Sequence, residues 1–188
     1  MSEEGRKDER YAEYLARIGE RLQRRGYVLV QDKLAEEERI STARLDLLGY
    51  YGPLGHQKFD GVQRVAALAW MERPTADEVR RFSAQIFQFA MTTLNELHME
   101  PVVCMAAVAT RAPAEEVVQF VEGTFLFRLP SLELPAVVDL EREVVYALRH
   151  VPIWGKAHVD KHLSYLRRLF APRVPRKRFD RAAEHQYT

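Results

Sequence analysis

The stretch Arg64-Val-Ala-Ala-Leu-Ala-Trp-Met-Glu-Arg-Pro-Thr-Ala-Asp-Glu-Val-Arg-Arg-Phe82 constrains the fold more than any other part of this chain. Val62–Trp70 is an apolar run of strand length that turns at once into a helix with a clear start. Thr75 and Glu78 have the spacing of a capping box, in which the hydroxyl takes a backbone N–H and the carboxylate reaches back. Pro74 helps to exclude an earlier helical start, and Val79, Phe82, Ile86, Phe89 and Leu94 carry an apolar face to about Leu97. In α/β enzymes a strand-to-helix junction is a common place for catalytic groups. Here the strand reads Ala-Ala-Leu-Ala, with no charge before Glu72.

The flanking segments fit the same class. Tyr11, Tyr14, Leu15, Ile18 and Leu22 recur at helical spacing over residues 8–24, and Gly26 is placed to stop that helix before the β-type run Tyr27–Val30. Residues 32–40 read as an exposed connection or a helical turn, Ala43–Tyr51 as a second strand, and Gly52–Gly55 and Asp60-Gly61 as turns. Val102–Thr110 is almost continuously apolar, the composition of a strand covered on both faces. Pro113, Val117, Val118 and Val121, with Gly123 beyond, define a short helix, and Thr124–Leu129 another strand. Residues 135–151 fit either a helix or a hairpin turning near Glu141-Arg142; β-branched residues at both ends favour the hairpin. Val159, Leu163, Leu166 and Phe170 make a last amphipathic helix.

With 188 residues and no repeat, internal linker or low-complexity tract, one domain is expected over residues 1–171, followed by a basic, flexible tail over 172–188. The expected fold is α/β: a mixed central sheet flanked by helices, with a C-terminal helical arm. A net charge of +1 provides no global field for nucleic acid or an anionic membrane, so such a partner needs a local patch. The charged N-terminal residues do not resemble a signal peptide, and no apolar run approaches the ~18 residues that span a bilayer. A cytoplasmic location is expected. The single cysteine, Cys104, excludes an intrachain disulfide and reads as a core thiol.

Helix, three sequential strands, helix and a buried strand, over about residues 10–125, resemble the core of the PD-(D/E)XK restriction-endonuclease-like nucleases. The resemblance rests on that order, on the helix ending Arg-Arg-Gly26 and on Asp46 in the second strand. It implies a divalent metal held by an Asp on the second strand and a Glu-x-Lys on the third, the cation polarising phosphate and water together. Asp46 matches the first acid, but the Glu-x-Lys falls on Ala67-Leu-Ala69. Glu72 and Arg73, displaced toward the strand end, are the remaining candidates for a second acid and a cation near the phosphate.

Two main readings follow. In the first, the chain is a non-catalytic binding or assembly protein on this scaffold, a homodimer or bound to a protein partner, with no cofactor. In the second, it is a nuclease or phosphodiesterase using Mg²⁺ or Mn²⁺, with Asp46 and Glu72 as ligands and Arg73 at the phosphate. A third reading has the basic tail contact nucleic acid. Between Leu45 and Leu47 on a strand, Asp46 would simply face outward if both leucines face inward. His158 and His162 share a helix face but lack the Glu of a HExxH motif, and His56 and His150 are isolated. No Gly-x-Ser-x-Gly, P-loop or Gly-x-Gly-x-x-Gly motif is present, and Gly49–Gly55 lacks a following helix start to bind phosphate. Of Tyr50 and Tyr51 one is expected to be exposed, and an aromatic beside Lys58 and Arg64 could stack a base or pack on a protein; Phe59, Trp70 and Trp154 read as core or sheet rim.

Overall fold

A computed structural model describes residues 3–30, 45–51, 62–94, 101–124, 126–128, 131–149, 151 and 156–173. Helix α1 (Glu3–Arg24) is followed by β1 (Val28–Leu29), β2 (Leu47–Tyr51) and β3 (Gln63–Trp70). Helix α2 (Ala76–Phe89), which runs on into a π-helical turn (Ala90–Leu94), leads to β4 (Val102–Thr110). Then come α3 (Glu115–Gly123), β5 (Leu126–Arg128), β6 (Ser131–Asp139), β7 (Val144–Ala147) and α4 (Lys156–Phe170). The connection at 32–40, the turns at 52–55 and 60–61, Lys58, Phe59, His56, His150 and Trp154 lie outside the described residues.

The strands form one mixed sheet in the order β1-β2-β3-β4-β6-β5, and β7 also pairs with β6. β1, β2 and β3 form an antiparallel meander, whereas β3, β4 and β6 run parallel. Parallel strands need crossover connections, and α2 and α3 supply them. A parallel centre is covered on both faces, which is why β4 is buried at every position.

One face of the sheet carries α1 and α4. Tyr14, Ile18 and Leu22 pack there with Val159, Leu163, Leu166 and Phe170 over Ala66, Leu68, Val103 and Met105. The other face carries α2 and α3, whose Val79, Phe82, Ile86, Val117 and Val121 cover Val65, Ala67, Ala69, Cys104, Ala106 and Val108. Ala66, Ala67 and Ala69 of β3, like Ala106, Ala107 and Ala109 of β4, are at most 1% exposed. The Ala-Ala-Leu-Ala run is thus a packing feature, because small side chains let helices approach a central strand from both sides.

Local signals set the element ends. Gly26 adopts φ 80° at the end of α1, where its N–H reaches the Gln23 carbonyl and the Tyr27 N–H reaches that of Leu22. That pair of bonds is a Schellman motif, and the left-handed position favours glycine. Both bonds of the Thr75–Glu78 capping box form at the start of α2. The second strand, expected from Ala43, begins only at Leu47, so Asp46 precedes it. Helix α3 starts at Glu115 after Ala114, and Gly123 is its last residue rather than the position beyond it.

The hairpin over residues 135–151 is present, but its first strand starts earlier, at Ser131, and runs through Pro135. A proline rarely sits inside a sheet because it cannot donate to the ladder. β5 pairs with β6 only through Glu133, and β7 begins pairing at Ala136. Pro135 occupies the gap between these two partners.

Two successive strand–helix units also share a pattern. Arg73, Glu78, Val79 and Phe82 in the first recur as Arg111, Glu116, Val117 and Phe120 in the second. Val79 and Val117 are fully buried in the same core, beneath two parallel helices that follow two parallel strands. No helix among the described residues is long and apolar enough to cross a membrane.

Candidate functional site

Asp46 sits at the carboxyl end of β3, where the first helix, the β2 meander and the strand-to-helix junction meet. Its Oδ2 accepts the Tyr11 hydroxyl at 2.6 Å and the Trp70 backbone N–H at 2.7 Å. The Tyr11 and Trp70 rings stack obliquely with centroids 5.0 Å apart. Asp46 is exposed, in keeping with the outward orientation expected, although Leu45 and Leu47 do not share a face. Leu45 packs toward the α2 and α3 side, Leu47 toward α1 and α4. Burial, reinforced by the hydrogen bond to Asp46 and by its charge, pushes the Tyr11 phenol well above its ordinary range. Asp46 therefore braces α1 against the end of β3.

Glu72 and Arg73 follow Trp70 in the turn leading to α2, and both are exposed. The Glu72 backbone carbonyl accepts the Thr110 hydroxyl at 3.0 Å, and the Met71 N–H donates to Ala109 at 3.0 Å. These bonds fix the turn across the ends of β3 and β4. The metal implied by the nuclease resemblance can be tested against this geometry. Ala67 and Ala69, at the positions of the second acid and the lysine, face α2 and α3, whereas Asp46 turns to Tyr11 of α1. Among the described residues no three or more His, Cys, Asp or Glu side chains are grouped to hold a metal ion. The residues present therefore do not fit the metal-binding set that the resemblance implies. His162 is 2% exposed and turned into the core from α4, and the His158 side chain lies outside the described residues.

Two buried acids escaped the sequence reading. Asp139, fully buried at the end of β6, accepts the backbone N–H groups of Glu141 and Arg142 at 2.9 and 2.8 Å on Oδ1. It closes the β6–β7 turn as an Asx turn, with the Arg142 guanidinium 3.9 Å from Oδ2. Glu133 is 1% exposed and stands opposite Cys104 in the register of β4 and β6. Burial first, and then the charge of Glu133, push the Cys104 thiol up, as befits a core cysteine rather than a nucleophile. The alternation Leu132-Glu133-Leu134 signals a strand, but Pro135 argues against one.

Helices α1 and α4 also carry a series of basic and aromatic contacts. Arg21 donates to the Leu169 carbonyl at 3.0 Å and also to Ala171, and Arg17 donates to Pro172. Two guanidinium groups thereby cap the carboxyl end of α4, where unpaired carbonyls concentrate negative charge. Beyond Pro172, Arg173 pairs with Glu143, a turn residue at φ 58° that also meets Arg10 at 3.6 Å. Residues 174–188 of the expected tail lie outside the described residues. The Arg25 guanidinium lies over the Tyr165 ring at 4.9 Å, and Arg64 lies 5.8 Å from both the Tyr51 and Tyr165 rings. Tyr50 and Tyr51 pack on opposite faces as expected, yet both are half-buried. Compared with family models, curated proteins and solved structures, the chain matches none.

Proposed function

We propose that this chain is a non-catalytic binding or assembly module on a restriction-endonuclease-like α/β scaffold. The observation that carries the reading is the use of Asp46. The one acid matching the nuclease pattern spends an oxygen on Tyr11 and the Trp70 N–H, and its would-be partners are buried alanines on the other face. The order α1-β1-β2-β3-α2-β4, with an antiparallel meander and β4 parallel to β3, supports the scaffold half of the proposal.

The partner surface is a sheet edge, and the partner a second copy or another protein. Val28 on edge strand β1 is 66% exposed and Val144 on β7 is 40% exposed, and edge strands with apolar residues invite pairing. Light scattering coupled to size exclusion tests this: a monomer at every concentration that also fails to capture a protein removes the assembly half.

Thermal unfolding with and without Mn²⁺ or Mg²⁺ tests the catalytic alternative, in which Asp46 and Glu72 are ligands and Arg73 meets the phosphate. A ligand that binds only the native state raises its melting temperature. The module is expected to show no shift at millimolar metal. A shift lost in both Asp46→Asn and Glu72→Gln, together with cleavage of a nucleic acid, would overturn the proposal.

A further inference from the structure

The cluster where α1 ends and α4 passes over β2 and β3 has a chemistry of its own. Tyr165 has the Arg25 guanidinium at 4.9 Å and the Arg64 guanidinium at 5.8 Å, and Arg64 is equally close to Tyr51. Tyr51 in turn meets Tyr27 with ring centroids 5.5 Å apart. Arg25 is exposed, while Arg64, Tyr51 and Tyr165 are half-buried. Lys161 and Arg168 precede and follow Tyr165 by one helical turn, so all three lie on one stripe of α4, and both cations are exposed. Glu20, also on α1, holds Arg24 at 2.8 Å.

We infer that this face binds single-stranded nucleic acid, and that it is a partner surface of the binding module proposed above. The exposed Arg25 guanidinium, resting on the Tyr165 ring, is pre-organised to offer its N–H edge to the fork of a phosphate. The same patch offers aromatic and guanidinium planes on which bases stack. Phosphates and π-faces are within reach of one ligand together only if its bases are unpaired. A duplex presents the phosphates alone, an acidic peptide lacks a succession of flat rings, and a lipid surface has none. The patch begins at Arg64, whereas Asp46 meets β3 at Trp70, six residues on, or about 20 Å along the strand. It is therefore separate from the Asp46 junction.

Anisotropy of a labelled single strand of about 15 nucleotides provides the test, since one such site covers up to roughly that length. With the exposed Arg25 and Arg168 on phosphates, the logarithm of affinity should fall with the logarithm of salt at a slope of about −1.4 or steeper. Arg25→Gln with Arg168→Gln, both at exposed positions, should weaken binding at least about tenfold and flatten that slope by about 1.4. Tyr165→Leu should weaken binding about fivefold or more, and Tyr165→Phe, which keeps the ring, should not. Circular dichroism establishes that each variant is folded. Arg142→Gln, on the β6–β7 turn, should leave affinity unchanged.

Equal affinity for a duplex, equal competition by inorganic polyphosphate, equal binding to phosphatidylserine vesicles, or an equal loss in Arg142→Gln would each overturn the inference. No binding to the oligonucleotide with no response to metal removes this surface but leaves the binding-module reading standing. Metal-dependent cleavage of the same oligonucleotide does the opposite.

Discussion

The Tyr11 hydroxyl and the Asp46 carboxylate meet at 2.6 Å although they are 35 residues apart, and the same oxygen takes the Trp70 N–H at 2.7 Å. A single carboxylate oxygen thus joins the first helix to the central strand at the point where that strand gives way to α2. Hydrogen bonds to a charged acceptor are stronger than neutral ones, and partial exposure tempers that gain.

Removing the carboxylate should therefore register as a loss of stability. Asp46→Ala is expected to cost about 1–2 kcal/mol in urea unfolding, and Asp46→Asn, which keeps an acceptor, less. Combining Asp46→Ala with Tyr11→Phe should show a coupling of about 1 kcal/mol, because both changes remove the same bond. Strict additivity would mean that the bond contributes nothing.

Restoring the nuclease pattern should fail for a steric and electrostatic reason. Ala67 is 1% exposed and Ala69 is fully buried beneath α2 and α3. Ala67→Glu or Ala69→Lys buries a charge without a partner and is expected to cost more than about 3 kcal/mol. Calorimetry with Mn²⁺ should detect no site created by either change. Near-native stability together with metal binding would show that these positions turn toward Asp46 after all.

Alkaline pH should destabilise the fold through its tyrosines. Burial raises Tyr11, Tyr14 and Tyr27 above the ordinary phenol value of 10.0. In the unfolded chain each ionises near 10.0, while in the fold each keeps its proton. The contribution is whole below that pH and is lost as pH climbs above it, because the unfolded chain then binds fewer protons. The melting temperature is expected to be flat between about pH 7 and 9 and to fall beyond about pH 10. Tyr14→Phe should make the decline shallower, and the Tyr14 bond to the Phe170 carbonyl at 2.9 Å predicts a cost of about 1 kcal/mol at neutral pH. An equally steep decline in that variant would remove Tyr14 from the account.

Gly49 provides a packing test. A Cβ there would meet the Leu22 Cδ1 at 3.1 Å and the Tyr27 Cδ1 at 3.2 Å. Those side chains are 1% and 4% exposed, so neither has open space to retreat into. Gly49→Ala should cost about 1–2 kcal/mol through overpacking between α1 and β2, read from the urea midpoint. A neutral or stabilising result would mean that Leu22 repacks freely.

Much of the fold was legible because its signals are short-range. Thr75 and Glu78 announce α2, Gly26 ends α1, and the unbroken apolar run of β4 requires cover on both faces. Each is a matter of backbone hydrogen bonding, φ freedom or periodicity within a few residues, and a sequence displays those directly. The candidate site was less legible. Asp46 is visible as an acid near a strand, but its hydrogen-bond partner Tyr11 lies on another element, 35 residues away. Pro135 misled in the same way, since only the gap between β5 and β7 explains how β6 passes through a proline.

By itself, the sequence determined the α/β class, the capped helix after β3 and the absence of charge at positions 67 and 69. Tertiary structure alone decided that those alanines face away from Asp46, that Tyr11 claims its oxygen, and that Arg25 and Arg64 converge on Tyr165. The reason is physical: local patterns fix which face of an element is apolar, but which distant side chains meet depends on how the sheet orders its strands and how the helices settle onto it.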